Sequence, residues 1–208
     1  MTRHPRIASQ EWVHDGTVRL GEALARVDDA SLGTLTCLPG WTRRHVLAHL
    51  AANADALGNL VRWAETGHVT PMYASPEDRA NGIEKGLLLS AQELAARVLD
   101  SAASLHRGWD GLSEAQWVRE VVTAQGRPLP ASEIPWLRAR EVYVHLVDLD
   151  VGYRFQDLPT DFLRALRDDV LAKRGDVPAI TASLADEVAW LTGRPHQVVD
   201  APALTPWL

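Results

Sequence analysis

One stretch of this chain, REVYVHLVDLD at residues 140–150, constrains the fold more than any other. Val142, Tyr143, Val144, Leu146, Val147 and Leu149 cover most of a helix circumference, and a helix apolar nearly all round must be enclosed by other elements. Glu141, His145 and Asp148 interrupt that surface at spacings of four and three. Residues four apart on a helix differ by only about 40° in direction, so Glu141 and His145 project side by side. Either they form an ion pair or hydrogen bond on a partly solvated face, or they are two ligands of a divalent metal completed from another helix. Helical bundles commonly build metal sites in the second way.

The rest of the chain supplies the helices that such a bundle needs. A first helix is expected from about Ser9 to Asp29, burying Trp12, Val13, Val18, Leu20, Leu24 and Val27. Thr42 is placed to cap a long amphipathic helix that Gly67 can end. Ser75, Pro76, Glu77 and Asp78 form a start signal, and Ser90 with Glu93 is a capping-box pattern that opens a helix through Leu105 and Trp109. One short helical turn is expected at Ser113–Val118, then a loop or short extended pair over TAQGRPLPA. Ser132 and Glu133 begin the helix of the opening motif, and Thr160 begins another that ends at Gly175. The remainder suggests a brief strand, a short helix at Ser183–Thr192 and an extended tail. With no internal repeat and no convincing alternation, the expectation is a mainly α fold: a four-helix bundle over residues 1–158, with a small C-terminal α/β appendage over 159–208.

Charge and cysteine usage narrow the partners. A formal charge of −6 argues against nucleic acid or an anionic membrane. No apolar run approaches bilayer-spanning length, and MTRHPRIASQEW lacks the apolar stretch of a secretory signal, so a cytoplasmic location is expected. The single cysteine, Cys37, excludes an internal disulfide and suits a reducing compartment. Between apolar neighbours and before a Pro-Gly turn, it is expected to be a buried, inert thiol.

The search for a third ligand leads to RRHVLAHLAANADAL, where His45 and His49 lie four apart. His45 follows two arginines at the helix start, whereas His49 has Val46, Leu47 and Leu50 beside it, and so is the better candidate. Two histidines and one carboxylate leave coordination positions open, as in catalytic sites. Zn²⁺ is the first expectation, though imidazole and carboxylate suit other divalent ions. Asp148 or Asp55 could orient a ligand histidine through its second ring nitrogen. Arg138, three residues before Glu141, and the loop arginines Arg127 and Arg194 would suit a dicarboxylate substrate, because the guanidinium fork binds carboxylate bidentately.

The stretches LPGWTRRHVLAHLAANADALGNLVRWAETG, TPMYASPEDR and TAQGRPLPASEIPWLRAREVYVHLVDLD together resemble the mycothiol-dependent maleylpyruvate isomerases, which belong to the DinB-like metal-binding bundles. The resemblance covers roughly residues 9–165. It implies a zinc ion held by His49, Glu141 and His145, with mycothiol as the cofactor thiol. It further implies that the thiolate adds to the cis double bond of maleylpyruvate, that the resulting single bond rotates, and that elimination yields fumarylpyruvate. The nucleophile then belongs to the cofactor and not to Cys37. The C-terminal region is shorter than the resemblance leads one to expect, with Arg194 in TGRP matching the family's active-site arginine by local context. Two other functions stay open on the sequence: a mycothiol S-transferase of the same bundle class, and a non-enzymatic metal- or ligand-binding bundle.

Overall fold

The computed structural model describes residues 4–205. Among them are helices α1 (Arg6–Leu24), α2 (Arg43–Thr66), α3 (Pro76–Gly86), α4 (Ala91–Asp110), α5 (Glu114–Trp117), α6 (Ile134–Asp148), α7 (Thr160–Arg174) and α8 (Leu184–Leu191). Two short strands, β1 (Glu120–Val122) and β2 (Pro128–Pro130), pair antiparallel between α5 and α6. Helices α1, α2, α4 and α6 form the bundle: α1 lies on α6 and α4, and α2 lies on α4 and α6, with α3 against its outer side. Helix α7 packs on α8. No helix among the described residues is long and apolar enough to cross a membrane.

The enclosure required of the opening motif is met. Val142, Tyr143 and Leu146 are wholly buried, as are Arg138 and Ala139 one turn earlier. Gly16 on α1 makes the α1–α6 approach possible, since a Cβ there would sit 3.0 Å from Val142 Cγ1. At the far side of α1 an aromatic cluster of Trp12, Trp136, Tyr143 and Phe162 carries the core from the bundle into α7.

Capping chemistry explains most helix boundaries. Ser75, Ser90 and Ser183 each accept a hydrogen bond from the backbone N–H three residues on, at the starts of α3, α4 and α8. Gly67 ends α2 in a left-handed conformation with φ 76°. The first helix differs from expectation, starting earlier and stopping at Leu24 instead of running to Asp29, and Val18, expected on its buried face, is exposed. Asp28 takes the backbone N–H of Ser31 onto its carboxylate, and Ser31 Oγ accepts from the N–H of Asp28. These local bonds compete with continued helix. TAQGRPLPA supplies a loop, with Gly126 at φ 75°, and only the second strand of an extended pair, whose first strand, Glu120–Val122, precedes it. The brief strand expected after Gly175 does not form: 176–183 run without strand to α8.

Candidate metal centre and its cavity

Helices α2 and α6 cross so that the sequence-selected His49, Glu141 and His145 meet. One donor atom from each lies within 4.8 Å of the others, the sole such group of three or more found among the described residues. His49 Nε2 is 2.8 Å from Glu141 Oε2, and His145 Nε2 is 3.4 Å from the same oxygen. A tetrahedral zinc with bonds of about 2.0–2.2 Å needs its ligand atoms about 3.3–3.5 Å apart. The His145–Glu141 spacing meets that requirement and the His49–Glu141 spacing is about half an ångström short of it, while both imidazoles turn Nε2 towards the carboxylate. The donor set therefore fits a divalent ion with open positions.

Burial and charge bind these groups into one unit. Burial favours the neutral acid of Glu141, but hydrogen bonds to His145 and His49 outweigh it and hold the carboxyl well below its usual range. Burial keeps the pKa of His49 below that of a free imidazole, although Glu141 pulls it up. Burial also opposes charge on His145, yet its bonds to Asp148 and Glu141 prevail and raise it to about 9.

Asp148, one of two residues expected to orient a ligand histidine, is hydrogen-bonded to His145. Its Oδ2 lies 2.9 Å from His145 Nδ1, and it is almost wholly buried. With that carboxylate on Nδ1, the imidazole keeps its proton there and presents Nε2 to the centre. Asp55 takes no part: it pairs with Arg97 on the surface. Arg194 Nε and Nη2 donate to the two oxygens of Asp148 at 3.0 and 2.8 Å, so a residue 46 positions away joins the centre through the carboxylate that orients His145.

His45 faces another task. Its Nδ1 accepts the backbone N–H of Thr42 at 3.2 Å, closing the first turn of α2. Trp41 stacks on His145 with ring centroids 6.4 Å apart and meets His49 edge-on, covering the metal-ligand group from the loop side. Cys37 departs from expectation because the residue is exposed, not buried. Its chain segment is a surface loop, and its Sγ lies 3.2 Å from Asp148 Oδ1. Desolvation of the thiol and the charge of Asp148 push its pKa up to about 12, which disfavours the thiolate.

Arg138 is not brought into the cavity. It is wholly buried between α6 and α2, where Nη1 donates to Leu50 O at 2.8 Å and Asn53 Oδ1 at 2.9 Å. Burial lowers its pKa to about 10 against the pull of Glu141 and Asp55.

The His49–Glu141–His145 cluster opens into a cavity of about 500 Å³, within the range of small-molecule sites. Its walls include Trp41, Leu57, Tyr73 and Val144, and five cations: Arg79, Arg127, Arg140, Lys173 and Arg194. Arg79, Arg140 and Lys173 went unsuggested by the sequence. Arg140 and Lys173 lie within a turn of apparent surface charge, and only the docking of α7 reveals where they face.

Residues 13–150 match the family model described as the mycothiol maleylpyruvate isomerase N-terminal domain. Two crystal structures of the mycothiol-dependent maleylpyruvate isomerase, one of them a histidine-to-alanine mutant, are similar to this chain at 35% identity and a TM-score of 0.92. Each match covers 100% of both chains, so residues 159–208 have counterparts there as well. YfiT from Bacillus subtilis, described as a probable metal-dependent hydrolase with an unusual four-helix bundle topology, shares the fold at 16% identity. Its TM-score is 0.59 over 72% of this chain and 86% of its own. No curated protein matches the chain.

Proposed function

The chain belongs to the mycothiol maleylpyruvate isomerase family, and from that premise we propose that it is a zinc- and mycothiol-dependent cis–trans isomerase converting maleylpyruvate to fumarylpyruvate in gentisate breakdown. The observation that carries this reading is the convergence of His49, Glu141 and His145 at the wall of a cation-lined cavity. A divalent ion held by these three side chains would lower the pKa of a thiol brought to it, supplying the thiolate that a thiol-dependent isomerisation requires.

The remaining roles fall to the chain itself. Asp148 holds a proton of His145 on Nδ1, so that a cation displacing the other proton would meet the Nε2 lone pair facing the site. Asp148 also fixes Arg194 at the cavity wall, where a guanidinium suits a substrate carboxylate. Arg138 acts as a positioning residue: it ties the α6 turn before Glu141 to the α2 turn after His49 and so sets their separation. Trp41, Leu57 and Val144 restrict water on the apolar side. Cys37, its thiol directed to Asp148, is not the nucleophile, which agrees with a thiol supplied from outside the chain. A reducing cytoplasm, where mycothiol is kept as the thiol, is the compartment this activity requires.

The test mixes purified protein, mycothiol and maleylpyruvate and follows fumarylpyruvate formation, with zinc measured by elemental analysis. Thiol-dependent turnover with stoichiometric zinc is expected. Absence of thiol-dependent conversion above background would overturn the isomerase reading; consumption of mycothiol by other electrophiles in that case would identify an S-transferase.

A further inference from the structure

Asn53 stands one turn beyond His49 on α2, about 6 Å along the helix axis, and lines the same cavity. The residue is almost wholly buried, so the direction of its amide is set by its few neighbours. Arg138 Nη1 lies 2.9 Å from Asn53 Oδ1. A guanidinium can only donate, and the amide oxygen is the end that accepts. Turning the amide over would set two donors face to face beside a buried cation, so chemistry fixes its orientation. The Nδ2 protons therefore point away from Arg138, and among the described residues no acceptor takes them. Sealed polar atoms without a partner include Arg138 Nε and Nη2 but not Asn53 Nδ2, which leaves the cavity as the space this nitrogen faces.

Arg138 gives this donor strength as well as direction. Its Nη1 donates to Leu50 O and Asn53 Oδ1 from a wholly buried position. A cationic donor on the amide oxygen draws electron density from the amide and makes the Nδ2 protons better donors, an effect enlarged where water is excluded. Positive character thus reaches the cavity wall through a neutral side chain, while the arginine itself stays between the helices. A preorganised N–H of this kind suits an oxygen that gains charge only during a reaction.

We propose that Asn53 is a catalytic residue whose Nδ2–H donates to the ketone oxygen of maleylpyruvate as that oxygen takes up charge. The inference rests on the isomerase reading for the identity of the substrate. In maleylpyruvate one alkene carbon carries a carboxylate and the other a ketone. When the thiolate sulfur bonds to the carbon beside the carboxylate, the alkene pair shifts towards the ketone and the carbonyl pair moves onto oxygen. The adduct is an enolate, and the bond between the former alkene carbons is single and free to rotate. Return of the oxygen pair re-forms the alkene in the trans arrangement and expels the thiolate, with no net proton transfer. The enolate oxygen is negative in the adduct and neutral in substrate and product, so a donor aimed at it lowers the barrier without tightening ground-state binding.

The test uses two variants of the zinc-loaded protein with mycothiol and maleylpyruvate. Asn53→Asp keeps the side-chain shape and an acceptor for Arg138 but removes both N–H groups, and Asn53→Leu removes them without adding charge. In each, kcat is expected to fall about 100-fold, with the KM for maleylpyruvate little changed and zinc content and circular dichroism retained. An unchanged kcat overturns the role, as does a rise in KM with kcat preserved. A loss confined to Asn53→Asp overturns it too, because the added negative charge then accounts for the defect. If Asn53→Leu does not fold, Asn53→Asp decides by the same division between kcat and KM. A parent protein without thiol-dependent conversion overturns the isomerase reading and the oxyanion role with it, whereas full activity in both variants overturns the oxyanion role alone.

Discussion

The two sides of helix α6 handle buried charge in opposite ways. On one side Glu141 and the Asp148–His145 pair concentrate carboxylate and imidazole around a point that a cation would occupy. On the other, Arg140 and Lys173 meet at the carboxylate of Asp169. Ion pairs are present on both sides, so the presence of a salt bridge distinguishes nothing. What differs is the arrangement: around Glu141 two imidazoles share one carboxylate oxygen, whereas at Asp169 one carboxylate oxygen joins a guanidinium and an ammonium.

This contrast is sharpest for the metal ligands. Replacing His49, Glu141 or His145 with alanine should reduce bound metal to near zero while the circular dichroism of the bundle persists, as elemental analysis and spectroscopy can measure. Metal retention by any of the three would remove that residue from the centre. Asp148→Asn should weaken metal affinity on the order of 10–100-fold, read by chelator competition, because His145 loses the partner that fixes its ring. An unchanged affinity would confine Asp148 to holding Arg194.

Cys37 supplies a measurement of intermediate size on the acid side. The thiol is raised to about 12, so at pH 8 little thiolate exists and iodoacetamide should react much more slowly than with an ordinary cysteine. The rate should climb with pH as thiolate forms, and Asp148→Asn should speed it at fixed pH by removing the opposing charge. Rapid labelling of the parent protein at neutral pH would contradict the contact with Asp148.

On the cation side, Asp169 gives a pH-dependent term with the opposite dependence on protonation. Its folded pKa is depressed, so its contribution to stability is present above the ordinary aspartate range, about 4, and is lost as pH falls through the depressed value. Asp169→Asn should therefore lower Tm at pH 7, and the difference from the parent should shrink on acidification below about pH 4. A pH-independent difference would mean that packing, not charge, is what the substitution removes.

The smallest effect is expected at His45→Ala. Metal content should be unchanged, and the loss of its bond to Thr42 should cost about 1 kcal/mol or less, read from denaturant unfolding. A protein that loses metal here yet keeps it in His49→Ala would reverse the assignment of the two histidines.

Much of this was legible before any coordinates. Serine caps at Ser75, Ser90 and Ser183 and the glycines Gly67 and Gly175 carry their conformational preference locally, so the helix boundaries they govern could be read residue by residue. The i,i+4 spacing of Glu141 and His145 is equally local, and the apolar neighbours of His49 distinguished it from His45. Where the reading went astray, the competing interaction was not visible in the pattern. The hydrogen bonds between Asp28 and Ser31 shortened α1, and a loop exposed Cys37 in spite of its apolar neighbours.

Helical periodicity and capping chemistry, both set by interactions within a few residues, thus determined the bundle and nominated its candidate metal ligands. The joining of Arg194 to Asp148 across 46 residues, the burial of Arg138 against α2 and the meeting of Arg140, Lys173 and Arg127 at one wall were decided only by tertiary packing. A long polar side chain takes its role from the partner at its tip, and helix packing places that partner from a distant part of the chain.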